Sequence, residues 1–197
     1  MGDEQVERFT VWSSKIVGVI GLVAVAVIVL LGVTGAGGDY HPAVYAVCGL
    51  IGVVIWVVII RPEVAIAGDR LVLRNPLNKV GVPLAAIEQI AVRRWVAVRV
   101  GDRTLTNAGI SRSRRQGVRD DQRKDVTGIE IAALSYGAIV ERRIQRQAEE
   151  ARDRQGVKLH SDEQLALAAD VRKTWAWPEI AALAVLSVAV VVTMLAY

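Results

Sequence analysis

Three runs of 18 residues each, 16–33, 43–60 and 180–197, carry no charged side chain. At about 1.5 Å of rise per residue, a helix of that length covers about 27 Å, close to the hydrocarbon thickness of a bilayer. Strands seldom exceed about ten residues, so runs this long read as transmembrane helices rather than buried strands. The first run is longer than the apolar region of a signal peptide, and no A-x-A site follows it, so cleavage is not expected.

Orientation follows from where the basic residues fall. Of 24 Lys and Arg, Arg8 and Lys15 precede the first run, and the other 22 lie between Arg61 and Lys173. The connection 34–42 has none. The expected arrangement is a cytoplasmic N-terminus, an outer hairpin, a cytoplasmic region over 61–177 and an extracytoplasmic C-terminus. The aromatic residues agree. Trp12, Trp175 and Trp177 fall at the inner interface and Tyr40 and Tyr197 at the outer one, while Trp56 is the exception, deep in the second run. None of the three runs contains Asp, Glu, Lys, Arg or His. Ion pathways and proton relays need such groups, so a pump or transporter acting alone is not expected.

Residues 61–177 hold 22 basic and 15 acidic residues, a net of +7. Their first part alternates apolar and polar positions in short stretches, 63–67, 70–74, 79–83, 87–94, 95–100 and 103–106, broken at Gly68 and Asp69, at Asn75 and Pro76, and at Gly101 and Asp102. About six strands with reversals every 6–10 residues predict an antiparallel meander, sandwich or small barrel. A parallel α/β sheet is excluded, because no helix fits between the strands. Residues 109–124 are polar and irregular. A long helix is predicted from Thr127, with Glu130 at capping-box spacing, to about Arg154, stopping at Gly156. Tyr136, Val140 and Ile144 would face the sheet, and the polar C-terminal half would project into solvent. A second helix from Ser161, with Gln164 at the box position, would carry the chain through Trp175 to the third run. The expected segments are an N-terminal tail and transmembrane hairpin (1–60), a β domain (61–108), a basic linker with cytoplasmic helices (109–177) and a third transmembrane helix (178–197).

Within this pattern, Arg61 and Pro62 after two apolar runs, a hairpin, the phrase Leu71-Val72-Leu73-Arg74-Asn75-Pro76-Leu77, and Val82-Pro83 ahead of Ile87 resemble the bacterial pleckstrin-homology-like (PH-like) domain of small membrane proteins from high-GC Gram-positive bacteria. The resemblance covers residues 43–107, about a third of the chain. Many such proteins carry tryptophan where this chain has Leu84. The resemblance implies a split antiparallel barrel with a helix over one end; the long Arg-rich segment, the extra helices and the third run are not part of it. Together with the three runs, the expected fold is membrane α + β: three transmembrane helices with a cytoplasmic antiparallel PH-like split β-barrel and a long helix. It brings no catalytic residues, since PH-like folds serve mostly as interaction platforms.

The strongest chemical feature is the segment 93–124, with ten basic residues against Asp102, Asp120 and Asp121, a net of +7. Arg93, Arg94, Arg112, Arg114, Arg115 and Arg119 are the candidate contacts. Planar guanidinium groups suit phosphate oxygens and carboxylates. Three readings stay open: a solvated loop that only sets topology, contact with anionic phospholipid, or docking to an acidic partner. Only Trp95 is interleaved with these arginines and no recognition motif appears, so nucleic acid is not an expected partner. The lone Cys48 excludes an internal disulfide, and His41 and His160 stand apart without further ligands, so no metal or cofactor is expected. Ser111, Ser113, Ser135 and Ser161 have no histidine at meaningful spacing beyond the adjacent His160, and no phosphate-binding glycine loop exists. The expected function is a non-catalytic, membrane-anchored interaction module. It would be an accessory subunit or scaffold of a larger respiratory, transport or envelope complex with other integral membrane proteins. The alternative is a binder or sensor of anionic lipid headgroups at the inner leaflet.

Overall fold

The computed structural model describes residues 6–110 and 135–196. In chain order the elements are β1 (Glu7–Phe9), α1 (Trp12–Val33), α2 (Pro42–Ile55, continued by a π-helical turn, Trp56–Ile60), β2 (Glu63–Ala67), β3 (Arg70–Arg74), β4 (Asn78–Pro83), a 3-10 turn (Leu84–Ala86), β5 (Gln89–Val92), β6 (Val96–Val100), β7 (Arg103–Asn107), α3 (Tyr136–Gln155), α4 (Asp162–Ala168), β8 (Arg172–Trp175) and α5 (Trp177–Ala196). The described residues fall into two compact units. One comprises residues 11–62, 76–78 and 175–196, and the other residues 6–10, 63–75, 79–110 and 135–174.

The first unit is the apolar one. Its three helices, of 22, 19 and 20 residues, are each long and apolar enough to cross a membrane, so the chain is a membrane α + β protein. His41 starts α2. Its Nδ1 accepts from Ala43 N at 3.2 Å, and Pro42 follows in the first helical position, where a missing N–H costs nothing. Glycines set the helix contacts. Gly18 of α1 lies against Ile59 and Ile60, and a Cβ added there would stand 2.7 Å from Ile60 Cγ1. Gly21 faces Ile55, and Gly49 of α2 faces Leu186 of α5. Small residues let helices approach where lipid supplies no hydrophobic drive. Helix α2 thus takes α1 through one set of residues and α5 through another, while α5 itself buries no residue.

Arg61 closes the π turn, its N–H bonding Trp56 O at 2.9 Å, five residues back. Its Nε lies 3.2 Å from Glu179 Oε1 in the first turn of α5, and its Nη1 donates to Pro76 O. Ala176 N donates to Leu77 O at 2.9 Å, so the Pro76–Asn78 turn is held from both sides.

The second unit holds two sheets. The five-stranded one runs β1-β2-β3-β4-β8 and the three-stranded one β5-β6-β7. Strands β1 to β4 pair antiparallel, with Phe9 opposite Val64, Glu63 opposite Arg74 and Leu71 opposite Val82. In the second sheet Val92 pairs with Val96, and Val96 with Asn107. Alternation sends Val64, Leu71, Leu73, Val82, Val92, Val96 and Val98 fully inward. Two turns adopt positive φ at glycine, Gly68 (57°) and Gly101 (54°), as tight hairpins require.

Several expectations are revised. The described strands form two separate sheets, with no closed barrel. The break falls after Pro83, the last residue of β4, where the chain enters the 3-10 turn. Carbonyls there go to side chains instead: Ile87 O accepts from Arg152 Nη1 at 2.7 Å, and Ala85 O from Gln164 Nε2 at 3.2 Å. Glu7–Phe9, read as part of a tail, is an edge strand. The helix from Ser161 is short, ending at Ala168, and β8 follows it rather than a continuous helix through Trp175. Ser161 does cap it, Oγ accepting from Gln164 N at 3.3 Å. The expected helix start at Thr127 with Glu130 lies outside the described residues. Helix α3 ends at Gly156, left-handed at φ 65°, as the glycine signal indicates. Its C-terminal half does not project into solvent, because Ile144, Ala148 and Ala151 are completely buried and Arg152 nearly so. Tyr136, expected to face the sheet, is half exposed, whereas Val140 and Ile144 are buried.

Candidate functional site

Arg93 and Arg94 sit with Trp95 at the tip of the β5–β6 hairpin, all three exposed. The tip is tight because Val92 pairs with Val96 and Arg93 N donates to Trp95 O at 3.0 Å. It is also held from behind, where the Glu141 carboxylate of α3 accepts from Val92 N at 2.9 Å. Valines at 92 and 96 point inward, so their neighbours must turn outward. Two guanidinium groups and an indole therefore share one rigid, solvent-facing corner. Among the described residues, no salt bridge engages Arg93 or Arg94. By contrast Arg99, toward the other end of β6, reaches Glu88 at 3.4 Å.

Asn107 fixes where this corner lies within the sheet unit. It is 1% exposed and opposite Val96, and its Nδ2 donates to Arg74 O and Asn75 Oδ1, both at 2.8 Å. The same amide lies 3.5 Å from Glu63 O, and its Oδ1 accepts from Gly109 N at 2.7 Å. A buried amide with its capacity used in this way is a structural clamp. It ties the hairpin end of the three-stranded sheet to the start of β2 and the end of β3. Phe9, paired with Val64, completes the same edge, and there the Tyr136 hydroxyl accepts from Thr10 N at 3.1 Å. Burial raises the Tyr136 phenol above its ordinary pKa, and the Thr10 N–H partly offsets this.

Arg112, Arg114, Arg115 and Arg119 lie outside the described residues. The chain leaves for them after Ile110 and returns at Ser135. Of the six arginines singled out by composition, the structure therefore describes two, and it adds Trp95 and Asn107. Trp95 was legible as the single aromatic among the arginines. Asn107 carried no sequence signal.

Other polar clusters are structural. Glu63 is 9% exposed and lies between Arg8 (3.9 Å) and Arg74 (3.7 Å). Gln164 is 2% exposed and accepts from His160 N while donating to the 3-10 turn. Asp170 is held below the ordinary carboxyl range by its hydrogen bond from Arg172 (3.0 Å) and by the charges of Arg172 and Arg70. No group of three His, Cys, Asp or Glu able to hold a metal occurs among the described residues. What the hairpin corner offers chemically is recognition of anionic oxygen beside an apolar ring. No protein family, no curated protein and no solved structure matches this chain.

Proposed function

We propose that this chain is a non-catalytic, membrane-anchored interaction module, an accessory subunit or scaffold that assembles with other integral membrane proteins. Its sheet unit acts as a PH-like platform on the cytoplasmic side, with the N-terminus inside and the C-terminus outside. The observation that carries this reading is the open apolar surface of α5, which touches α2 near Gly49 yet buries none of its residues, with Val188 and Val192 more than half exposed. Two antiparallel sheets with a long helix support the PH-like platform, and the distribution of 24 basic residues supports the orientation.

The test is site-specific photo-crosslinking in cells. A crosslinker at Val188 is expected to capture an integral membrane protein in amounts comparable to the bait, whereas one at Leu186, facing Gly49, stays within the chain. Lipid adducts alone at Val188 would overturn the scaffold reading. A second reading, a binder of anionic lipid headgroups, is favoured by Arg93 and Arg94, which stand exposed beside Trp95.

A further inference from the structure

We infer that the β5–β6 hairpin tip is an interfacial anchor. Arg93 and Arg94 hold the phosphate oxygens of anionic phospholipids while the Trp95 ring enters the headgroup layer. The choice of ligand rests on the second reading above; the site and the mode of seating are new.

Position in the sheet unit favours this. Asn107 binds the carbonyls of Glu63 and Arg74 and pairs with Val96, the residue next to Trp95. Glu63 lies three residues beyond Ile60, the last residue of the second apolar helix. Consecutive Cα atoms are about 3.8 Å apart, so covalent length alone keeps Glu63 within about 11 Å of that helix end. The tip therefore belongs to the edge of the sheet from which the chain continues into the membrane. Gly101 and Asp102, at the other end of β6, belong to the opposite edge.

The side chains at the tip suit that position. Tryptophan favours the headgroup level, where its ring is partly apolar and its N–H stays wet. In a water-facing loop an indole that is 51% exposed gains nothing, yet here one stands between Arg94 and a buried valine. Arginine beside it supplies forked donors for phosphate. Rigidity adds to both. The Glu141 contact to Val92 N and the Arg93 to Trp95 backbone bond leave little loop entropy to lose on docking. An acidic protein surface would satisfy the arginines and could bury the indole as well; what favours lipid is the place of the tip on the sheet edge from which the chain continues into the apolar helix.

The test uses the full chain in proteoliposomes, with Cys48→Ala and a fluorophore on a cysteine at Ala108, an exposed position beside Asn107, or at Asp102 on the far edge. Vesicles contain phosphatidylcholine alone or mixed with phosphatidylglycerol, with nitroxide-labelled headgroups as quenchers. Quenching is expected at 108 and not at 102, and it should rise with phosphatidylglycerol. Arg93→Gln with Arg94→Gln should weaken docking roughly fivefold per charge removed, less so at high salt. Trp95→Ser should lower quenching in both vesicle types. Equal quenching at 108 and 102 overturns the inference. A phosphatidylglycerol response that persists in the Arg93, Arg94 and Trp95 variants overturns it while leaving lipid binding elsewhere on the chain. No response in any variant removes both readings. Quenching that appears only after membrane protein extract is added assigns the tip to a protein partner and also overturns it.

Discussion

Arg61 Nε lies 3.2 Å from Glu179 Oε1, joining the end of the second apolar helix to the first turn of the third. Both side chains are largely shielded, at 15% and 23% exposure. Glu179 is also favoured where it stands, since a helix N-terminus carries partial positive charge. Arg61 holds Pro76 O as well, so one guanidinium serves two elements.

Truncating one member of this pair leaves the other shielded and unpaired. Arg61→Leu is expected to cost about 1–3 kcal/mol, and Arg61→Leu with Glu179→Leu less than the sum of the single changes. Unfolding of the purified protein in mild detergent measures both. Strictly additive effects would show that the two residues do not interact in solution.

Phe9 is 7% exposed although its strand has only three residues. Phe9→Ala is expected to destabilise the sheet unit by about 3 kcal/mol and to speed hydrogen exchange at Val64 and Ala65. A soluble fragment beginning at Arg61 and ending at Gly156 lacks α4 and β8, and is expected to be less stable than one extended to Trp175, which retains them. Equal melting temperatures of the two fragments would refute this.

Asp170 gives a pH test whose sign is fixed by its lowered pKa. A carboxylate stabilised in the folded state contributes above its unfolded pKa, near 3.9, and loses that contribution as pH falls through the folded value. Melting temperatures of wild type and Asp170→Asn are therefore expected to differ at neutral pH and to converge below about pH 4. The gap is expected to be small, because the group is exposed and screened.

Topology is tested by cysteine accessibility in intact cells. With Cys48→Ala, an impermeant reagent should label Ala36→Cys in the connection between α1 and α2 and spare Asp102→Cys. The opposite pattern would reverse the orientation.

The three apolar helices were legible because 18 residues without a charge are too long for a strand and too apolar for a helix with one face in water. Strands β2 to β7 were legible because alternation and turn residues coincide along 63–107. Caps at Ser161 and Gly156 were legible for local reasons. What escaped depends on contacts distant in sequence. Glu7–Phe9 and Arg172–Trp175 are too short and too polar to show alternation, and they become strands only because β2 and β4 offer free edges. Ala148 and Ala151 pack fully, but a search for large apolar residues does not register them. The arginine cluster was visible as charge. That the corner of Arg93, Arg94 and Trp95 lies at the end of the sheet unit holding Glu63 and Arg74 depends on Asn107 reaching Arg74 across 33 residues.

The π-helical turn at Trp56–Ile60 has a consequence for how this chain can change length. A π turn closes over five residues where an α turn closes over four, so removing one residue from this turn would restore the ordinary winding and leave Arg61 facing Glu179. Adding one residue would instead rotate Arg61 by about 100°, the advance of one α-helical residue, away from Glu179. Insertions between Gly52 and Arg61 are therefore expected to be poorly tolerated even when the helix stays long and apolar enough for the bilayer, whereas a single deletion within the turn is expected to be accepted. The direction of Arg61, and not membrane thickness alone, thus limits which changes of length the second span can take.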